Sequence, residues 1–116
     1  MDKITISEES LAGIFGSAAA YQVLMFLQVY ENGYASAIAR TYRISLSQVQ
    51  KQLSKFELLG LLVSRMEGSS RVYYFKQSPI TDALRFFLKT MLDELPEESI
   101  ANYYQQRRRP RRKGKP

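Results

Sequence analysis

The chain has 116 residues, 45% of them hydrophobic, which fits one domain with a modest core. It contains no cysteine and no histidine, which excludes disulfides, thiolate chemistry, the commonest metal ligand and the usual general base near neutral pH. The net charge of +6 is unevenly spread: residues 40–76 carry seven basic residues against Glu57 and Glu67, a net of +5, and the stretch from Arg107 to Lys115 adds seven more.

The two remaining segments are acidic. Residues 1–39 hold four carboxylates against one lysine, and residues 77–98 hold five against two cations, a net of −3 each. A basic middle between acidic flanks suits a polyanion-binding face on an otherwise acidic body. No run approaches the roughly 18 apolar residues of a membrane-spanning helix. Met1-Asp2-Lys3 does not open like a signal peptide, so a cytoplasmic location without a membrane partner is expected.

Ser7 reads as the N-cap of a short helix to about Phe15, with Glu8 and Glu9 in its first turn. Ser17 caps a second helix over residues 18–31, whose Ala20, Val23, Leu24, Leu27, Met25 and Phe26 predict near-complete burial. Asn32-Gly33 is expected to end it as a left-handed C-cap. Ser36 opens a third helix, Ala37 to Tyr42, with Ile38 inward. After a turn of about three residues, Ser45 caps a fourth, with Gln48 at capping-box spacing. Val49, Leu53 and Phe56 mark its buried face, and Gly60 stops it.

The period then changes. Leu61–Met66 and Arg71–Lys76 are rich in β-formers and flank Glu67-Gly68-Ser69-Ser70, which predicts a hairpin. Ser78-Pro79 starts a fifth helix with Ile80, Leu84, Phe87, Leu88, Met91 and Leu95 at helical spacing. Pro96 breaks it. Residues 97–106 read as one more helical piece, with Ile100, Tyr103 and Tyr104 on one side. The basic, proline-containing stretch from Arg107 is expected to be disordered when alone. The domains are therefore 1–96 and a C-terminal extension, 97–116. The fold class is mainly α (α+β), in the order α-α-α-α-β-β-α.

Two short helices joined by a tight turn and followed by a hairpin form a winged helix-turn-helix with a two-stranded wing. A helix fits the major groove if one face is anchored in the core and the other presents polar side chains. In the fourth helix that outer arc is Ser47, Gln48, Lys51, Ser54 and Lys55, with Gln52 at its edge and no carboxylate before Glu57, and the capping Ser45 counts with them as a DNA-binding candidate. Glutamine suits adenine edges, lysine suits guanine or phosphate, and serine suits either. Arg65 and Arg71 flank the small tip with Ser69 and Ser70, where arginine can meet the sugar–phosphate backbone or minor groove. Arg40 and Arg43 sit beside the turn as phosphate contacts.

The run Ile44-Ser45-Leu46-Ser47-Gln48-Val49-Gln50-Lys51-Gln52-Leu53, then Leu59-Gly60-Leu61-Leu62, then Arg65 through Gly68 to Arg71-Val72-Tyr73-Tyr74-Phe75, resembles the ArsR-type winged-helix regulators over about residues 15–95. Ile14 to Ser17 is similar to the opening of small winged-helix proteins associated with nucleotidyltransferases. The resemblance implies a bacterial transcriptional regulator, a homodimer through the N-terminal helix and the 79–95 helix, with recognition helices in successive major grooves of double-stranded DNA. ArsR-type metal sensors use cysteine or histidine ligands, and this chain has neither, so no soft metal and no cofactor is expected.

The sequence admits three other readings. Phe15-Gly16-Ser17 invites a nucleotidyltransferase, but that chemistry needs an Asp-x-Asp pair about ten residues on. Leu27-Gln28-Val29-Tyr30-Glu31 stands there instead, so no enzyme is expected. A protein-interaction module partnering a nucleotidyltransferase or toxin is the alternative, opposed by the basic stripe. The third is RNA binding through the tail, which is otherwise an arm adding phosphate contacts without reading sequence.

Overall fold

The computed structural model describes residues 7–104, and the tail from Arg107, expected to be disordered, lies outside them. The protein is mainly helical with a small antiparallel sheet, an α+β architecture. In chain order come α1 (Glu8–Phe15), α2 (Ala18–Tyr30), β1 (Asn32–Tyr34), α3 (Ala35–Tyr42), α4 (Leu46–Leu58), β2 (Leu62–Glu67), β3 (Ser70–Phe75) and α5 (Pro79–Glu94). A short α6 (Glu97–Ser99) and a π-helical turn (Ile100–Tyr104) follow.

Four helices are capped as their sequences predict. The hydroxyls of Ser7, Ser17, Ser45 and Ser78 accept the backbone N–H of Ser10, Ala20, Gln48 and Thr81 at 3.1–3.2 Å. Each such cap stabilises its helix by about 1 kcal/mol. Helix α3 differs: it begins at Ala35, its N-cap is Tyr34, and no side chain caps it. Ser36, expected to be that cap, lies inside the first turn.

Helix α2 is the hub. It buries nine residues between Ala19 and Val29, including Val23, Met25 and Leu27 at 0% exposure. A helix apolar all round is stable only when other elements surround it. Here α1, α4, α5 and the sheet do so.

The segment after α2 corrects the sequence reading. The left-handed residue that ends α2 is Glu31 (φ 75°), and its N–H bonds the Leu27 carbonyl at 2.9 Å. Asn32-Gly33-Tyr34 is not a helix cap but strand β1, paired antiparallel to β3. Gly33 is there for space. A Cβ on it would stand 2.5 Å from Cε1 of Phe26, so the strand reaches α2 only because that atom is missing. The expected two-stranded wing is therefore part of a three-stranded sheet in the order β1-β3-β2.

The hairpin β2–β3 has a two-residue loop, Gly68-Ser69, shorter than the predicted four. Of the two, only Gly68 has a positive φ (66°), the pattern of a type II′ turn, in which glycine takes the first central position.

The expected domain boundary at residue 96 falls inside a single core. Tyr104 is fully buried, within the cluster that also holds Leu11, Tyr21 and Tyr42. On α5 only Thr81 and Leu88 are buried. Leu84, Phe87, Met91 and Leu92 are half-buried, and Ile80 and Phe86 are each 73% exposed. Arg85 ties α5 to the hub, donating to Gln28 (2.8 Å) and Glu31 (3.1 Å) while lying over the Phe75 ring. Among the described residues no single helix is long and apolar enough to cross a membrane.

Candidate nucleic-acid interface

The turn from α3 to α4 is three residues, Arg43-Ile44-Ser45. Arg43 is left-handed (φ 58°), and its N–H bonds the Ala39 carbonyl, as does that of Ile44 at 3.1 Å. This reversal closes α3 and leaves the Arg43 side chain exposed. Ser45 then caps α4 and donates its own proton to Gln48 Oε1 at 3.3 Å, so cap and glutamine hold each other. The capping-box spacing is thus realised through side chains rather than through the Ser45 backbone.

Val49, Leu53 and Phe56 bury one face of α4. The opposite arc is exposed at Ser47, Gln48, Lys51, Ser54 and Lys55, as the spacing required. Gln52 is the exception. It is half-buried, and its amide oxygen is fully covered with no hydrogen-bond partner among the described residues, so it turns toward the body. The Lys55 ammonium lies 4.9 Å from the Phe56 ring centre, which leaves it at the rim of the arc.

The two hairpin arginines do not act together. The register pairs Arg65 with Val72 and Arg71 with Met66. Side chains alternate along a strand, so Arg65 and Arg71 emerge on opposite faces. Arg71 is on the α4 side. It donates to Ser64 Oγ (3.1 Å), and Ser64 donates to Glu57 Oε2 at the end of α4 (2.7 Å), a relay that sets the hairpin's angle to the helix. On the far face Arg65 bonds Glu67 (2.9 Å) and Tyr74 (3.2 Å) and lies over the Tyr74 ring. Tyr74 also donates to Glu67. That bond first, then Arg65, holds the Glu67 carboxyl below its ordinary value, and the same pairing raises the guanidinium. Arg65 is thereby paired on the exposed far face of the hairpin.

Between α4 and the hairpin runs an open groove of about 540 Å³. Ser54, Ser70 and Arg71 line it, as do Ser36, Gln50 and Tyr73. Ser69 is exposed at the tip and Ser70 half-buried beside it. Burial raises the Tyr73 hydroxyl above its usual range, so it stays a neutral donor. Ser36 and Gln50 were not among the expected site residues. Gln50 was findable, because it stands four residues before Ser54 and so shares its side of the helix. The uncapped first turn of α3 also borders this groove, and amides at a helix start carry partial positive charge.

At the end of α3 and the turn into α4, Arg40 and Arg43 line a separate notch of about 380 Å³ with Thr41, Tyr42, Asn102 and Tyr103. The outer arc of α4 is thus polar, with Arg71 beside it in the groove and Arg40 and Arg43 at the turn that leads into it. Such a surface can hold anionic groups some distance apart while the helix presents hydrogen-bonding side chains between them. The chain matches no family model, no characterised protein and no solved structure.

Proposed function

We propose that the protein is a dimeric winged helix-turn-helix regulator of the ArsR type that binds specific sites in double-stranded DNA and acts as a repressor. The observation that carries this reading is the outer arc of α4. Ser47, Gln48, Gln50, Lys51, Ser54 and Lys55 all face solvent, with Arg71 beside them in the groove and exposed Arg40 and Arg43 at the α3–α4 turn. A cylinder of this kind, anchored by Val49, Leu53 and Phe56, can enter a major groove while the flanking cations meet phosphates. The N-terminal half of α4 does the reading, as is usual for recognition helices.

The dimer uses α1 and α5. Ile14 and Ile80 are exposed, and Phe15 and Phe87 meet edge to face with centroids 6.1 Å apart. Together with half-buried Leu84 and Met91 they supply more apolar surface than a small monomer leaves to water. Two copies joined there place two α4 helices on half-sites about one helical turn apart.

A specific observation favours a second reading. Leu58 and Leu59, at the C-terminal end of α4, are 89% and 66% exposed. Such a pair suits a protein-binding face.

Selection of preferred duplexes from a random pool, followed by titration at two salt concentrations, decides between them. DNA binding should select an imperfect palindrome and weaken steeply with salt. Lys51→Ala should lower affinity, Gln48→Ala should relax base preference, and Ile80→Glu should give monomers that bind one half-site. Deleting residues 107–116 should lower affinity yet keep the preference. No selected site, with binding indifferent to Lys51, would pass the surface to a protein partner. Loss of all nucleic-acid binding on that deletion would pass it to the tail.

A further inference from the structure

The groove between α4 and the hairpin draws its polar lining from three elements: Ser36 of α3, Gln50 and Ser54 of α4, and Ser70, Arg71 and Tyr73 of β3. Each of these side chains can donate a hydrogen bond, and no carboxylate is among the lining residues. Arg71 gives one N–H to Ser64 at 3.1 Å and makes no ion pair among the described residues. The Glu57 carboxylate is engaged by Ser64 at 2.7 Å and does not line the groove. The side chains of Ser36, Gln50, Ser54, Ser70 and Tyr73 make no hydrogen bond among the described residues.

A guanidinium held in place, a protonated phenol and several free hydroxyls around one concavity suit an anion rich in acceptor oxygens. A carboxylate offers two oxygens in one plane. A phosphomonoester offers three terminal oxygens, which fits donors converging from three elements. The rest of the lining is apolar. Tyr34 and Leu46 are 41% and 45% exposed there. An open aromatic ring beside an anion seat suits the face of a flat heterocycle. The volume of about 540 Å³ falls in the range of roughly 300–1,000 Å³ usual for small-ligand sites, and one phosphate alone would leave most of it empty.

We propose that this groove is a regulatory site for a small phosphomonoester carrying a flat ring, of nucleoside monophosphate chemistry: Arg71, Tyr73 and the serines take the phosphate, Tyr34 and Leu46 cover the ring, and the bound ligand denies the groove to DNA. Gln50, Ser54 and Arg71 belong also to the proposed DNA surface, so ligand and duplex compete for them. That competition rests on the DNA-binding reading above, whereas the seat itself does not. Release of the duplex then follows from occupancy alone.

Calorimetric titration of the full-length protein tests the seat without DNA. The probes are the adenosine, guanosine, cytidine and uridine monophosphates, their unphosphorylated nucleosides and inorganic phosphate. At least one monophosphate should bind, about tenfold or more tighter than its nucleoside and than inorganic phosphate. Tyr73→Phe keeps the ring and removes a hydroxyl that has no internal partner to orphan. It should weaken the monophosphate roughly tenfold with the thermal midpoint of the free protein unchanged, and Arg71→Gln should weaken it at least as much. Lys89→Gln removes the same charge from an exposed position on α5 and should leave the affinity as it was. Silence from every monophosphate, equal binding of inorganic phosphate, or an equal loss in Lys89→Gln would overturn the site.

With the selected duplex present, the same monophosphate should raise the apparent Kd for DNA as its own occupancy rises, and Tyr73→Phe should blunt this. A monophosphate that binds while DNA affinity stays constant would overturn the competition. Monophosphate binding by a protein that selects no duplex would remove the DNA reading, and the competition with it, and keep the seat. Duplex selection with silence from every monophosphate would remove the seat and keep the DNA reading.

Discussion

The hydroxyls of Tyr42 and Tyr104 meet at 2.8 Å inside the core, across 62 positions of sequence. The bond joins the C-terminal turn to the end of α3, one residue before the reversal into α4. Each ring makes further aromatic contacts, with Tyr30, Tyr103 and Phe26 around them. A buried polar pair of this kind costs most when only one member is removed, since the other keeps its desolvation penalty without a partner.

A double-mutant cycle should therefore be strongly non-additive. Tyr42→Phe and Tyr104→Phe should each lower stability by about 1–3 kcal/mol. The double variant should lose less than the sum of the two, because it leaves no orphaned hydroxyl from this pair. Denaturant midpoints at constant slope read both quantities. Additive losses would mean that the two hydroxyls do not bond.

The same tyrosines make the fold sensitive to alkali. Burial is the first cause that pushes Tyr21, Tyr42 and Tyr104 well above the ordinary value near 10. Below pH 10 the folded and unfolded chains both keep these protons, and stability does not depend on them. Above it the unfolded chain ionises while the folded one holds on, so stability falls as the pH rises. Phenolate absorbance should show Tyr21, Tyr42 and Tyr104 ionising only together with loss of ellipticity. All eight tyrosines titrating in one step near pH 10, with the fold intact, would refute this.

Gly33 gives a steric test of the sheet's position. Its missing Cβ is occupied by the edge of the Phe26 ring, 2.5 Å from where the atom would lie. Gly33→Ala should cost about 1–3 kcal/mol, the scale of overpacking in a filled core. Adding Phe26→Leu should recover part of that loss, since the clash is between these two residues alone. If Gly33→Ala is neutral, β1 does not approach α2 as described.

What the sequence made legible, and what it did not, follows from the range of the interactions involved. Caps and periodicities are local, so Ser45, the Val49–Leu53–Phe56 face and the polar arc of α4 could be read directly. Asn32-Gly33 misled because the same letters serve a helix cap and a close approach, and only the neighbour Phe26 distinguishes them. Strand alternation alone separates Arg65 from Arg71, whereas their shared closeness to the tip suggested a pair. Gln52 sits at the boundary of the helical arc, where a small rotation of α4 decides whether it meets solvent or the body. Burial of Tyr104 depends on a partner in α3 far away in sequence, and a tyrosine beside a charged tail carries no local sign of it.

Arg43 joins backbone strain to the proposed function. Its φ of 58° lies in the left-handed region, where a side chain with a Cβ is held at a cost of roughly 1–2 kcal/mol and glycine at almost none. Glycine would relieve this but would also give the unfolded chain more freedom, worth about 0.4–1 kcal/mol in the opposite direction. Arg43→Gly should therefore raise stability by up to about 1 kcal/mol, while Arg43→Lys should leave it near the starting value. DNA affinity should order differently. The glycine variant should bind more weakly, with its salt dependence reduced by about one phosphate's worth, and lysine should keep most of the charge effect. A glycine variant that gains stability and binds as well as the parent would remove Arg43 from the interface and leave its left-handed turn without a functional reason. Opposite movement of the two measurements is expected if this position keeps a strained arginine for the sake of the phosphate it meets.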